Sequence, residues 1–228
     1  SFKAERGETV AFIGTTGSGK STLINLIPRF YDVTEGEVLV DGVNVKNMTL
    51  EYLNNKIGYI SQKAIMFKGT IKENVSFGFS KNGKPTDKQI KEAIKIAQAE
   101  DFVIKMKDKY NASLAQSGTN ISGGQKQRLS IARAIARNPE IYIFDDSFSA
   151  LDYKTDLVLR KALNKYTEKA TKLIVAQRIG TIMNADKIIV LNNGEVAGRG
   201  THKELLKTCK IYKEIALSQL TEEELENE

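Results

Sequence analysis

The stretch Thr9-Val10-Ala11-Phe12-Ile13-Gly14-Thr15-Thr16-Gly17-Ser18-Gly19-Lys20-Ser21-Thr22 decides the fold of this chain. Its first five residues predict a buried strand, and a helix should follow from residue 21 to about residue 27, before a proline. Between them, residues 14–21 fit the pattern G-x-x-x-x-G-K-[ST]. The glycines let backbone N–H groups wrap phosphates, Lys20 reaches the outer phosphates, and Ser21 can bind magnesium. The segment therefore predicts a phosphate-binding loop between a strand and a helix.

A second apolar run, Ile141-Tyr142-Ile143-Phe144, ends in Asp145-Asp146. Four bulky apolar residues in a row predict a strand buried on both faces of a parallel sheet, and open α/β sheets bind ligands at the carboxyl ends of such strands. Asp145 can hold a magnesium ion there, and Asp146 can orient a water for attack on phosphate if it reaches. It is shorter than a glutamate by one C–C bond, about 1.5 Å. An error of about 1 Å at a catalytic position can cost roughly a hundredfold in rate.

The hydrophobic pattern of the remaining chain predicts an α/β core with an insertion. Residues 37–40 and 43–45 flank a hairpin turn, further strands are expected at 57–60, 173–176, 187–191 and 195–197, and a helix at 153–166. Residues 70–137 are helical in pattern, with a capping box at Thr86 and Gln89 and a helix from about Gln125 to before Pro139. We expect a mainly parallel sheet with an antiparallel β patch and an inserted all-helical subdomain.

Composition narrows the class of protein. The 228 residues, 41% hydrophobic and 27% charged, are ordinary for a globular chain. The net charge of +6 comes from 34 basic and 28 acidic residues spread along the sequence, which favours a solvated surface over a nucleic-acid groove. The single cysteine, Cys209, makes no intrachain disulfide and suits a reducing compartment. No apolar run approaches the roughly 20 residues of a membrane span. Because Ser1 is not an initiating methionine, we expect a fragment of a longer protein.

The segment Ile121-Ser122-Gly123-Gly124-Gln125 resembles the signature of the ATP-binding cassette (ABC) family, with Ile121 at a usual leucine. Ser122 and the two glycines open a predicted helix, whose N–H groups, hydroxyl and dipole can contact a phosphate. In the family, that phosphate belongs to a nucleotide on the facing subunit. An ordinary capped helix start would be the better interpretation of this segment alone. Its position between a phosphate loop and a strand that ends in two aspartates favours the interpretation as a signature segment.

The resemblance covers the whole chain. It implies that residues Gly14 to Thr22 bind ATP, that Gln62 is the Q-loop glutamine that contacts magnesium together with Ser21 and Asp145, and that Ser149-Ala150-Leu151-Asp152 is the D-loop that crosses a dimer interface. Residues 67–75 resemble the exporter-type lead into the helical subdomain. The implied organisation is a P-loop NTPase (RecA-like) core in residues 1–69 and 138–218, a helical signature subdomain in 70–137 and a C-terminal tail in 219–228.

The chain departs from the family pattern at the two catalytic positions. Asp146 stands where the family usually has the glutamate that polarises the attacking water, and Gln177 stands where it usually has a histidine. Gln177 can donate a hydrogen bond to a γ-phosphate, but its amide does not exchange protons at neutral pH. General-base assistance supplies roughly 10²- to 10⁴-fold in rate. We therefore expect a site that binds ATP and hydrolyses it slowly. Gln116, where exporters commonly carry a glutamate, is a further departure.

The resemblance implies the ATP-binding domain of an ABC exporter, with ATP and Mg²⁺ as cofactors. Its implied partners are a second nucleotide-binding domain, in a heterodimer, and a fused or associated transmembrane domain; nucleic acid is not expected. The resemblance places this chain, as a soluble fragment, at the cytoplasmic face of the cell membrane. Three alternatives stay open. One is an active homodimeric transporter ATPase that uses Asp146 as its base. Another is a DNA-repair or chromosome-type ATPase, although those usually separate the two motifs with a long coiled coil, and only about 100 residues without sustained heptads intervene here. The third is a nucleotide-binding regulatory module.

Overall fold

The computed structural model describes residues 1–78 and 83–221. The strands of that part are β1 Thr9–Gly14, β2 Leu39–Val40, β3 Val43–Asn44, β4 Ile57–Ile60, β5 Gly69–Thr70, β6 Ser113–Leu114, β7 Ile141–Asp145, β8 Thr171–Val175, β9 Lys187–Asn192 and β10 Glu195–Gly200. The α-helices are α1 Lys20–Asn25, α2 Leu50–Lys56, α3 Ile71–Val75, α4 Asp87–Ile96, α5 Glu100–Val103, α6 Gly123–Arg137, α7 Tyr153–Tyr166, α8 Ile179–Ile182, α9 His202–Thr208 and α10 Lys210–Leu217. None of these helices is both long and apolar enough to cross a membrane.

Six strands form the central sheet in the order β10-β9-β1-β8-β7-β4. All neighbours pair in parallel except β10, which runs antiparallel to β9 at one edge. Strand β1 lies inside the sheet, where Ala11 is in register with Ile174 on one side and Ile188 on the other. Parallel pairing brings the carboxyl ends of β1, β4, β7 and β8 to one edge of the sheet. The fold class expected from the sequence is confirmed.

Alternate residues of β1 enter two separate cores on the two faces of the sheet. Ala11 and Ile13 lie in the larger core, which is built with residues of α4, α6, α7, α9 and α10. Val10 and Phe12 lie in the smaller core with residues of α1, α2 and β2. Complete burial of a large apolar side chain contributes about 1.5–3 kcal/mol. Burial on both faces therefore fixes the strand that carries the phosphate loop.

Within residues 71–78 and 83–137, the regular elements are helices with one exception. Helices α3, α4 and α6 each begin with a capping box, and the predicted one at Thr86 and Gln89 is present. The exception is β6, which pairs antiparallel with β5 and was not predicted. This two-stranded ribbon joins the start of the insertion to its middle, and the Ile71 N–H extends it by donating to Ala112 O at 3.0 Å. Most of the expected C-terminal tail, residues 222–228, lies outside the described residues.

Other elements differ from the sequence prediction at their ends. The hairpin is shorter than predicted because Val45 begins a 3₁₀ turn, which the Asn44 side chain caps by accepting from Lys46 N at 2.9 Å. Helix α1 begins at Lys20 and ends at Asn25, and β8 begins two residues earlier than residue 173, at Thr171. The predicted helix at 153–166 and strand at 57–60 have the bounds observed for α7 and β4.

Gly58 of β4 packs closely against α6 and against the proline that precedes β7. A Cβ at Gly58 would lie 2.7 Å from Pro139 Cγ and 3.5 Å from Ala134 Cβ. We predict that Gly58→Ala lowers the free energy of unfolding by about 1–3 kcal/mol, because the proline ring cannot give way easily. Gly180→Ala is the matched control, since a Cβ there meets nothing within 4 Å and alanine suits a helix better. Denaturant unfolding measures the free energy of unfolding of both variants. Equal values would contradict the prediction and would mean that β4 and Pro139 can move apart at little cost.

Candidate functional site

The phosphate loop curls around the ammonium group of Lys20. Lys20 Nζ donates to Gly14 O at 2.8 Å, to Thr15 O at 2.8 Å and to Ser18 Oγ at 3.3 Å. Gly14 cannot be replaced without moving the backbone, because a Cβ there would lie 1.9 Å from Leu191 O of β9. Burial lowers the pKa of Lys20, while Asp146 and Asp145 raise it in part. The structure thus places the loop's positive charge next to both carboxylates.

Asp145, at the end of β7, is bound by two hydroxyl groups. Its Oδ1 accepts from Ser21 Oγ at 2.7 Å, and its Oδ2 accepts from the Tyr59 hydroxyl at 3.0 Å. Asp145 is buried, and its oxygen and that of Ser21 are the hard donors that Mg²⁺ prefers. These two residues therefore fit a magnesium ion. Gln62, the third predicted ligand, is instead held beside Asp146.

Tyr59 is a site residue that the sequence interpretation missed. Its hydroxyl also lies 2.9 Å from Asn25 Oδ1, so it joins α1 to the acid at the end of β7. Burial, and then Asp145, raise the pKa of the Tyr59 hydroxyl, which therefore stays protonated and can donate. The signal for it was a hydroxyl in the otherwise apolar strand β4, which is the neighbour of β7.

Asp146 is bound by two amide groups. Its Oδ2 accepts from Gln62 Nε2 at 2.9 Å and from Gln177 Nε2 at 2.7 Å. Burial raises the pKa of the Asp146 carboxyl, and the hydrogen bonds from Gln62 and Gln177 lower it in part. The residues predicted to act at the γ-phosphate, Asp146 and Gln177, are thus in direct contact. Neither amide can accept a proton from Asp146 at neutral pH.

The backbone of Asp146 is fixed in an uncommon conformation. Its φ is +46°, a left-handed value that few residues other than glycine adopt. Its N–H donates to Val175 O at 2.9 Å, and its carbonyl accepts from Ser149 Oγ at 2.8 Å. A cavity of about 10 Å³ lies beside it, lined in part by Ser149 and Gln177, which is close to the volume that one water needs. Two hydrogen bonds therefore hold the backbone of Asp146 beside a space that is about the size of one water molecule.

The signature segment caps its own helix. Ser122 Oγ accepts from Gln125 N at 3.3 Å, and Gln125 Oε1 accepts from Ser122 N at 2.9 Å. Ser122 and Gly123 are exposed, and a Cβ at Gly123 would meet nothing within 4 Å. A Cβ at Gly124 would lie 3.2 Å from Ala150 O, so the signature rests on the D-loop of the same chain.

The D-loop lies between the signature segment and Asp146. Ser149 bonds to the carbonyl of Asp146, Ala150 is exposed next to Gly124, and Leu151 is buried in the core. Asp152 caps α7 by accepting from Thr155 N at 2.9 Å, and that bond lowers the pKa of Asp152.

The structure arranges the predicted residues in two groups. The phosphate loop, Gln62, Asp145, Asp146 and Gln177 share one edge of the sheet, and the signature lies with the D-loop. Across residues 1–78 and 83–221, no hydrogen bond joins residues 122–125 to residues 14–22. A second missed residue, the buried Gln127 of α6, donates to Ser61 O at 3.1 Å and so ties the signature helix to the segment before Gln62.

Comparisons with known proteins give a consistent result. The family described as "ABC transporter" matches residues 1–149. Proteins of Staphylococcus aureus strains NCTC 8325 and Mu50, each named "Putative multidrug export ATP-binding/permease protein", are 46% identical over 211 residues, which is 92% of this chain and 36% of theirs. The solved "Structure of a bacterial Atm1-family ABC exporter with ATP bound" matches with a TM-score of 0.87 and 34% identity, over 92% of this chain and 36% of that one. The chain thus spans little more than a third of the length of its relatives.

The hydroxyl of Tyr59 can be tested as a support for Asp145. We predict that Tyr59→Phe weakens Mg²⁺-dependent ATP binding roughly tenfold, because partners of a metal ligand set its orientation. Binding of ATP without Mg²⁺ should change little. Tyr52→Phe is the control, since Tyr52 is an exposed tyrosine on the nearby α2. Titration calorimetry with and without Mg²⁺ measures both; equal losses in the two conditions would show that Tyr59 supports the loop rather than Asp145.

Proposed function

The chain belongs to the ABC transporter family, and from this premise we propose that it is the ATP-binding domain of an exporter whose own site hydrolyses ATP slowly. Its signature would complete a faster site on a partner domain. The observation that carries the proposal is the contact between Gln177 Nε2 and Asp146 Oδ2, at 2.7 Å. These two residues stand where the family usually has a histidine and a glutamate. ATP hydrolysis coupled to transport is the activity of this family.

ATP binding rests on the intact parts of the site. Lys20 and the N–H groups of the loop would bind the phosphates, and Ser21 and Asp145, whose oxygen atoms are in contact, would hold Mg²⁺. When bound, the ion neutralises charge on the β- and γ-phosphates. Lys20 must leave the carbonyls of Gly14 and Thr15 for the phosphates, which is an exchange of one set of oxygen acceptors for another.

Slow hydrolysis follows from what Asp146 and Gln177 can do. Burial raises the pKa of the Asp146 carboxyl above its ordinary value, a shift in the direction that favours a general base. Asp146 lacks about 1.5 Å of the reach of a glutamate. Gln177 has two N–H donors, so it can bond Asp146 and a phosphate oxygen together, but it cannot pass a proton between them. Positioning is retained while proton handling is weakened.

The division of the chain into two groups supports a composite site. The exposed Ser122 and Gly123 are oriented by α6 and the D-loop, away from any bond to the chain's own phosphate loop within its described part. In the proposed heterodimer they face the ATP bound to the partner, whose catalytic residues do the hydrolysis. This arrangement lets Asp146 and Gln177 diverge without loss of the partner's site.

The wider assembly is also a proposal. The curated relatives are named for both an ATP-binding and a permease part, and this chain matches 36% of their length. We infer that a transmembrane domain, fused or associated, lies outside the matched region, and that the ATP-binding domain works at the cytoplasmic face of the cell membrane. The substrate of export is set by that other domain.

A homodimeric ATPase is the second candidate. The raised pKa of Asp146 and the cavity beside it, about 10 Å³, favour a working base at this position. A chromosome-type ATPase has less support, because the longest α-helix of the described insertion is α6, with 15 residues. The two transporter candidates differ in which carboxylate turnover requires.

Single carboxylate substitutions in the intact transporter separate these candidates. We predict that replacing the partner's catalytic glutamate by glutamine nearly abolishes ATPase activity, whereas Asp146→Asn changes it by less than about twofold, since the partner's site carries the chemistry. Asp108→Asn, at an exposed carboxylate of the helical subdomain, controls for charge. Steady-state phosphate release is the measurement. Loss of turnover on Asp146→Asn would instead support the homodimer.

Restoring the usual residues should restore hydrolysis at this site. We predict that Asp146→Glu with Gln177→His raises the rate at least tenfold in a transporter whose partner site is disabled, since general-base assistance supplies roughly 10²- to 10⁴-fold. Each single substitution should give a smaller gain, because residues 146 and 177 are in contact. Single-turnover hydrolysis measures the rate. No gain would locate the defect elsewhere, for example in the partner's signature.

A further inference from the structure

A third glutamine, Gln219, holds the backbone of the segment that carries Gln177. Gln219 Oε1 accepts from Ile179 N at 2.8 Å, and its Nε2 donates to Gln177 O at 2.8 Å. One side-chain amide therefore bonds the main chain on both sides of Arg178. The two residues are 42 positions apart, and nothing in the sequence pattern joins them.

The segment 177–179 depends on such an external partner. Strand β8 ends at Val175, and α8 begins at Ile179 after an N-terminal residue, Arg178, whose side chain makes no capping bond. The first N–H groups of a helix lack acceptors within it, and Gln219 supplies the acceptor for Ile179. The bond to Gln177 O then fixes the peptide from which the Gln177 side chain extends to Asp146.

Gln219 is itself presented by an anchored turn. Gln219 N and Leu220 N both donate to Ala216 O, at 3.0 and 2.9 Å, just after α10. Ala216 and Tyr212 of α10 are buried, and Leu220 packs against the larger core. The Tyr212 hydroxyl lies 2.7 Å from Nδ1 of the buried His202, which joins α10 to α9. The α9–α10 pair thus forms a rigid support for the Gln219 amide.

We propose that Gln219 is a positioning residue of the ATP site, acting through the Gln177–Ile179 segment on the Gln177 amide. The α9–α10 pair then supports the site through the backbone of residues 177–179. The effect on ATP rests on the proposed function, in which Gln177 donates to the γ-phosphate. The hold on Ile179 does not rest on it.

The first test measures the preference of the full chain for Mg²⁺-ATP over Mg²⁺-ADP by titration calorimetry. Gln219→Ala should reduce this preference about three- to tenfold, as should Gln177→Ala, and the double variant should be no worse than Gln177→Ala alone, since residues that act as one unit are not additive. Ser218→Ala is the control, because its exposed hydroxyl bonds only within the same turn, to Ile215 O. Additive losses, or a loss on Ser218→Ala, would overturn the proposal.

The second test follows hydrogen exchange at the Ile179 amide. Gln219→Ala should speed this exchange, and Gln219→Glu should keep it slow while still lowering the ATP preference, because a carboxylate accepts from Ile179 but repels the Gln177 carbonyl. Unchanged exchange in Gln219→Ala overturns the proposal whatever the nucleotide data show. If Gln177→Ala leaves the ATP preference intact while Gln219→Ala frees Ile179, the hold on the segment stands and the role of Gln177 under the proposed function fails. A normal loss on Gln177→Ala with no loss on Gln219→Ala overturns the positioning role alone.

Discussion

The site depends on the position of β1 inside a parallel sheet. Strand β1 has parallel neighbours on both sides, and Gly14 at its end passes so close to β9 that a Cβ would lie 1.9 Å from Leu191 O. This contact holds the start of the phosphate loop against the end of β9. Because β4, β7 and β8 end at the same edge, the groups that follow them meet the loop there. The parallel direction of these strands thus brings the polar groups of the site together.

Two adjacent carboxylates at that edge have different partners and therefore different capacities. Asp145 is bound by the hydroxyls of Ser21 and Tyr59, and Asp146 by the amides of Gln62 and Gln177. Hydroxyl oxygens can accept as well as donate, so Ser21 can turn its oxygen to a metal ion. An amide N–H only donates. The two amides therefore orient the Asp146 carboxylate, but neither of them can receive a proton from it.

Local patterns predicted most of the fold, and the misses have two physical causes. Strand and helix periodicity, the phosphate-loop spacing and the capping box at Thr86 depend on neighbours within a few residues, and the structure contains all of them. Tyr59 meets Asp145 across 86 positions and Gln127 meets Ser61 across 66, and these contacts depend on which strands and helices become neighbours in space. The β5–β6 ribbon was missed because two-residue strands carry no periodicity.

The contacts between the two groups are compatible with the proposal that one chain serves two unequal sites. In the described part of the chain, the signature and Asp146 are connected through the D-loop, since Gly124 lies against Ala150 and Ser149 bonds the backbone carbonyl of Asp146. A backbone bond of this kind is independent of the side chain at position 146. Asp146 and Gln177 can therefore differ from the usual residues while the α6 N-terminus keeps its geometry. Conversely, a shift of the Asp146 backbone would disturb its bond to Ser149, which precedes the residue that lies against Gly124. The asymmetry proposed for the dimer can therefore arise from substitutions of side chains, provided that the backbone of the site is not displaced.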